Sequence, residues 1–114
     1  MLHYMKLQQN PFDKIKCGMK TIELRLNDEK RQCISVNDII VFTNIANQNQ
    51  TIRVKVVNLY NYPSFDELYK ELPLDKCGYL PDELLSASSK DMEVYYSAEE
   101  QELYGVLGIE IELL

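Results

Sequence analysis

Residues 15–31 read "IKCGMKTIELRLNDEKR". From Thr21 to Leu26 the side chains alternate: Ile22, Leu24 and Leu26 share one parity, and Thr21, Glu23 and Arg25 share the other. That period of two predicts a strand with one apolar face and one polar face. Glu23 and Arg25 then project from the same face, about 6–7 Å apart along the strand. Lys20 has the opposite parity but lies at the turn after Gly18, where alternation need not hold. Glycine there lets the backbone turn tightly and leaves room for something to approach. An arginine offers a rigid fork of donors, a lysine a point charge and a glutamate an acceptor. Lys20, Glu23 and Arg25 are therefore either solvated charges on a wet strand or the lining of a site. As a site they would read a phosphate and a base edge, or polarise a carbonyl. A strand arginine with a solvated ion pair contributes under about 1 kcal/mol to stability. A core Leu24 cut to alanine should cost about 2–5 kcal/mol.

Upstream, "LHYMKLQ" alternates and reads as a strand. Its His3 is read as a rim or core residue beside Met5. "NPFDKIKCG" reads as a short helix with Asn10 as N-cap, Pro11 at the first helical position and Gly18 just past the end. Phe12 and Ile15 would anchor it. Downstream, "VNDIIVF" combines an Asn-Asp turn with a strand buried on both faces. The polar loop "NIANQNQ" separates it from "TIRVKVV", where Ile52, Val54 and Val56 face in and Arg53 and Lys55 face out. "SFDELYKEL" reads as a helix with a Ser64–Glu67 capping box and an apolar stripe of Phe65, Leu68, Tyr69 and Leu72. Residues 73–96 carry breakers and short helical patterns. "SAEEQELYG" reads as a last helix with a Ser97–Glu100 box and a stop at Gly105, and "VLGIEIELL" as a last strand. Several short strands with helices segregated from them give an α+β class, and a curled sheet or small barrel would remove exposed edges.

The 114 residues suit a single domain, 1–114, with one core. A hydrophobic fraction of 46% argues against disorder. The longest apolar run, "IIVF", is too short to cross a bilayer, so no membrane partner is expected. No apolar segment follows a basic start, so no leader is expected. Three widely spaced cysteines, Cys17, Cys33 and Cys77, form no CxxC pair and point to a reducing, cytoplasmic setting. Buried structural thiols are the default for Cys17 and Cys77. The net charge of -6 disfavours duplex DNA or any long duplex as a partner. Charge is nevertheless uneven: residues 1–31 hold seven Lys/Arg against four Asp/Glu, a net of +3. Either one positive cleft is presented or these charges pair within the fold.

Phosphate-loop, dinucleotide and zinc-deaminase motifs are absent. A single histidine disfavours a metal site and the usual Ser-His or Cys-His pairs. No cofactor or metal is expected. Of the eight tyrosines, Tyr69 reads as core, while Tyr95, Tyr96 and Tyr104 bracket the last helix and read first as core packing with a bonded hydroxyl, with a reach into a cleft as the alternative.

"IKCGMKTIELRLNDEKR" resembles the signature of ASCH domains, relatives of the PUA-like β-barrels. The likeness continues in order through "HYMKL", "ISVNDIIVF" (with Asn37 where the family usually has glycine), "YPSFDELY" and "YYSAEEQELYGVLGIEI". It implies a PUA-like barrel of about five to six strands with helices at one side. Between them would lie a cleft into which Lys20, Glu23 and Arg25 point. The family is thought to act around RNA. One bacterial branch of similar size is an amidohydrolase that deacetylates N4-acetylcytidine with a Lys, a Thr and a Glu. Its lysine maps onto Lys20, its threonine falls at Glu23, and its glutamate lies after the hairpin helix, where Asp75 is the nearest acid. Three functions stay open. The first is a module binding RNA or a nucleotide-like ligand through Lys20, Glu23 and Arg25. The second is a small amidohydrolase on N4-acylated cytidines, with Lys20 and Glu23 as catalytic candidates. The third is a scaffold or protein-interaction domain without a ligand.

Overall fold

The computed structural model describes residues 1–114. Five strands, β1 (Leu2–Leu7), β2 (Ile22–Leu26), β3 (Ile39–Asn44), β4 (Thr51–Tyr62) and β5 (Val106–Leu113), form one sheet in the order β1-β3-β4-β5-β2. The β1–β3 pair is parallel and the rest are antiparallel. The sheet curls into a half-barrel with helices α1 (Gln9–Lys16), α2 (Phe65–Glu71) and α3 (Ala98–Tyr104) at one side, the α+β architecture that the alternation and the segregated helices predict.

Local chemistry explains most element boundaries. Gly18 adopts φ 85° just after α1, and Asn37 adopts φ 78° in the turn before β3. Asparagine is one of the few residues that tolerates this region, so it can stand where a glycine is usual. Ser97 and Glu100 close a reciprocal box at the start of α3. At α2 only half of the expected box forms: Ser64 accepts from the Glu67 amide. Helix α1 starts earlier than Asn10 suggests, with Gln8 as an N-cap that makes no side-chain bond.

Apolar side chains fill two clusters. The larger one, inside the curl, joins Met5 and Leu7 of β1, Phe12 and Ile15 of α1, Ile40 and Phe42 of β3, and Val54 and Val56 of β4. The smaller one joins Ile22 and Leu24 of β2 to Phe65 and Leu68 of α2 and to Cys77. This second cluster alters the reading of β2. Its apolar parity is covered by α2 and the turns of residues 74–96. Its polar parity is not wet either, because Glu23 and Arg25 lie opposite Ile109 and Leu107 of β5 and share the inner face of the curl with them. Glu23 is as buried as its apolar neighbours. Cys77 is buried as expected, and burial pushes its thiol up to about 12. Cys17 is exposed, against expectation, because it lies at the solvent-facing end of α1. His3 is buried and bonds the Asp38 carboxylate at 2.8 Å.

Candidate functional site

Three connections fix the start of β2. The Lys20 amide donates to the Lys14 carbonyl of α1 at 3.0 Å, and the Thr21 amide donates to the Lys76 carbonyl at 2.9 Å. Below, the Lys14 ammonium donates to the Gly78 carbonyl at 2.6 Å. Helix α1, β2 and the short 3₁₀ turn at residues 74–77 are thereby stitched together around Lys20. Gly78 lies against this side chain: a Cβ at that position would meet the Lys20 Cδ at 3.2 Å.

Lys20, Glu23 and Arg25 converge. Lys20 Nζ is 2.7 Å from Glu23 Oε1, and Arg25 Nη2 is 2.8 Å from Glu23 Oε2, with side chains only 5–13% exposed. Arg25 Nε also donates to Glu23 Oε2 at 2.9 Å. Burial alone would raise the Glu23 pKa, but the two flanking cations outweigh it and hold the carboxyl at about 2. Burial opposes the charge of Arg25 too, and Glu23 outweighs it, so the guanidinium stays protonated more firmly than usual. The triad is thus a fixed cationic floor: two positive charges around one permanent carboxylate. Arg25 is accordingly not the solvated strand arginine whose loss costs little.

A cleft of about 390 Å³ opens over this floor. Lys6 and Lys14 add positive charge, and Glu83 and Asp91 bring carboxylates from the insertion. All four cations, Lys6, Lys14, Lys20 and Arg25, come from the basic N-terminal third. The surplus of that segment is partly paired and partly presented. Tyrosines make the opposite wall. The Tyr69 and Tyr79 hydroxyls are 2.7 Å apart, and Tyr79 donates to Asp91 at 2.7 Å. Tyr69 must then donate to Tyr79, so the chain runs one way. Burial raises both phenols, Tyr69 to about 12, and both stay neutral donors. Tyr96 stacks on Phe65, with ring centroids 6.0 Å apart, while Tyr95 is 63% exposed at the mouth.

Of the residues singled out from sequence, Lys20, Glu23, Arg25, Tyr95 and Tyr96 line the cleft, and Tyr104 does not. Tyr69 is both on the apolar stripe and in the wall. Asp75 is exposed outside the cleft; Glu83 and Asp91 are the acids after α2 that reach it. Neither acid, nor Tyr79 or Gly78, is legible from periodicity, because irregular turns carry no parity. The one available signal is the Ser88–Asp91 capping box at the start of the 3₁₀ segment 89–94. No group of three or more His, Cys, Asp or Glu side chains is placed to hold a metal ion. No helix is long and apolar enough to cross a membrane.

The family model of the ASCH domain matches residues 5–114. The chain belongs to the ASCH family. ASCH domains are generally thought to bind RNA. Among solved structures, the chain is 34% identical to hypothetical protein PH0355, with full coverage of both chains and a TM-score of 0.82. It is 33% identical to protein PF0455 from Pyrococcus furiosus, covering all of this chain and 98% of that one, with a TM-score of 0.72. An ASCH protein from Zymomonas mobilis, 13% identical, shares the fold with a TM-score of 0.67 over 96% of this chain and 65% of that one. No functionally curated protein matches this ASCH chain.

Proposed function

We propose that the cleft binds a short single-stranded RNA segment or a nucleotide-like ligand. The observation that carries this reading is the buried Lys20–Glu23–Arg25 floor beneath a wall of tyrosines. Arginine and lysine recognise phosphate, and aromatic faces stack on unpaired bases. A cavity of about 390 Å³ is within the range of small-ligand sites. The net charge of -6 favours a small or short ligand over a long duplex. Glu23 orients the two cations and stays ionised, leaving the ammonium of Lys20 with hydrogens beyond the one its carboxylate partner takes. Tyr95, the exposed ring, is the stacking partner at the mouth.

The test is an equilibrium titration with free nucleotides, a short single-stranded RNA and a duplex RNA. Single strands should bind and the duplex should bind more weakly. Tyr95→Ala should weaken single-strand binding by about tenfold, with the melting temperature unchanged. No binding of any of the three would overturn the reading.

Hydrolysis of N4-acylated cytidine is the second reading, and Lys20 in the cleft is what favours it. Its electrostatics are unfavourable. A carboxyl held at about 2 is a poor general base near neutral pH, and Lys20 is engaged with it. Little or no cytidine should be released from N4-acetylcytidine. Robust turnover that disappears in Lys20→Ala would reverse the order of the two readings.

A further inference from the structure

The outward face of the sheet carries a second feature. On β1, His3, Met5 and Leu7 point into the core, so Leu2, Tyr4 and Lys6 point out. Register extends this face across the sheet. Tyr4 is opposite Val41, which is opposite Arg53; Leu2 is opposite Ile39, which is opposite Lys55. The outward positions of β1, β3 and β4 up to Lys55 therefore hold Tyr4, Lys6, Arg53 and Lys55 among apolar residues and threonines, with no carboxylate. In a chain with 18 acidic residues, that is a selective absence. The first acid met across the sheet is Glu112, beside Lys55 on β5.

Three properties point to a ligand. Lys6, Arg53 and Lys55 take part in no ion pair. Tyr4 is 61% exposed, and its ring stands beside the covered Val41. The face is also continuous with the cleft, because Lys6 belongs to both and Tyr4 follows on the same side of β1 about 6–7 Å away. An exposed aromatic ring flanked by unpaired cations on a sheet is the arrangement on which unpaired bases stack while cations track the backbone.

We infer that a single-stranded nucleic acid leaving the cleft runs past Lys6 onto this face, with one base stacked on Tyr4 and its phosphates near Arg53 and Lys55. This inference rests on the cleft reading for its starting point, and the experiment separates the two. Single-stranded RNAs of increasing length, from one nucleotide to about eight, are titrated against the protein and against Tyr4→Ala, Tyr4→Phe and an Arg53→Ala/Lys55→Ala double variant. All are changes at outward positions.

Affinity should rise with length. Tyr4→Ala and the double variant should weaken the longest RNA by about tenfold and leave the mononucleotide unaffected. Tyr4→Phe should retain the affinity, because stacking needs the ring and not the hydroxyl. The double variant should also flatten the salt dependence of the longest RNA. An affinity that does not grow with length, or variants without effect, overturns the outward path and leaves the cleft intact. A long RNA whose binding needs Tyr4 and is untouched by Tyr95→Ala overturns the cleft and retains the face. Anionic lipid vesicles binding the face when RNA does not would contradict the inference.

Discussion

Arg25 Nη2 donates to the carbonyl of Lys6 at 2.8 Å, and that bond joins the two edge strands of the sheet. Strand β1 pairs with β3 on one side only, so its Tyr4 and Lys6 carbonyls face the open seam. Lys30 Nζ covers the Tyr4 carbonyl at 2.8 Å, as Arg25 covers that of Lys6. Side chains thus protect an edge that backbone pairing leaves open. The same guanidinium holds Glu23, so the floor of the cleft and the seam of the half-barrel share one residue.

Arg25→Ala should therefore destabilise the protein by about 2 kcal/mol, because it removes the charged bonds to one oxygen of the buried Glu23 carboxylate, leaving Lys20 as its remaining partner, and opens the seam. Arg25→Lys should recover only part of this, since an ammonium cannot serve Glu23 and the Lys6 carbonyl with the same fork. Urea unfolding of both variants checks this. A loss below about 1 kcal/mol, the figure for a solvated pair, would show that the seam bond is idle.

Acid should destabilise the fold over a defined window. Lys20 and Arg25 hold Glu23 at about 2 against an ordinary 4.5. The hydrogen bonds from His3 and from the Ser35 amide hold Asp38 at about 2 against 3.8. Both folded values lie below the unfolded ones, so between them the unfolded chain binds more protons and stability rises with pH. The contribution is complete above about pH 5 and lost as pH falls toward about 2. Urea midpoints measured down that range should drop, and Glu23→Gln should remove its share of the slope at the cost of a lower plateau. A flat profile for the unmodified protein would contradict the assignment.

Much of this was legible in the sequence, and the reasons for the remainder are physical. Alternation located β1, β2, β4 and β5, the apolar run after the Asn-Asp turn located β3, and the Ser97–Glu100 box located α3. Shared parity put Glu23 and Arg25 together, as found. Alternation failed at the polar face of β2, since period two says which residues share a face but not what later covers it. That face turns into the curl beside Leu107 and Ile109, and the cleft beyond it is lined from residues 74–96, a run of 3₁₀ turns in which neighbours in space have no fixed spacing in sequence. For that reason Tyr79, Glu83 and Asp91, which line the cleft, have no periodic signature, and Asp75, the acid to which the family resemblance points, lies outside it. The parallel β1–β3 pairing, too, has no signature in either strand alone.

Two glycines should respond differently to alanine. Gly18 and Gly78 both have positive φ, 85° and 106°, so each substitution should cost about 1–2 kcal/mol in backbone strain. Around Gly18 there is open space, whereas a Cβ at Gly78 crowds Lys20. Gly18→Ala should lower the melting temperature and leave affinity for single-stranded RNA unchanged. Gly78→Ala should lower both. Equal affinities in the two variants would show that the placement of Lys20 by Gly78 does not matter to binding.

The most direct test of the cleft is a nuclear magnetic resonance titration of isotope-labelled protein with a short single-stranded RNA. Signals from Lys20, Tyr79, Tyr95 and Tyr96 should shift and saturate together, while those of Glu102 on α3, outside the cleft, stay in place. Saturable shifts that avoid these four residues, or none at all with RNA in excess, would contradict the account.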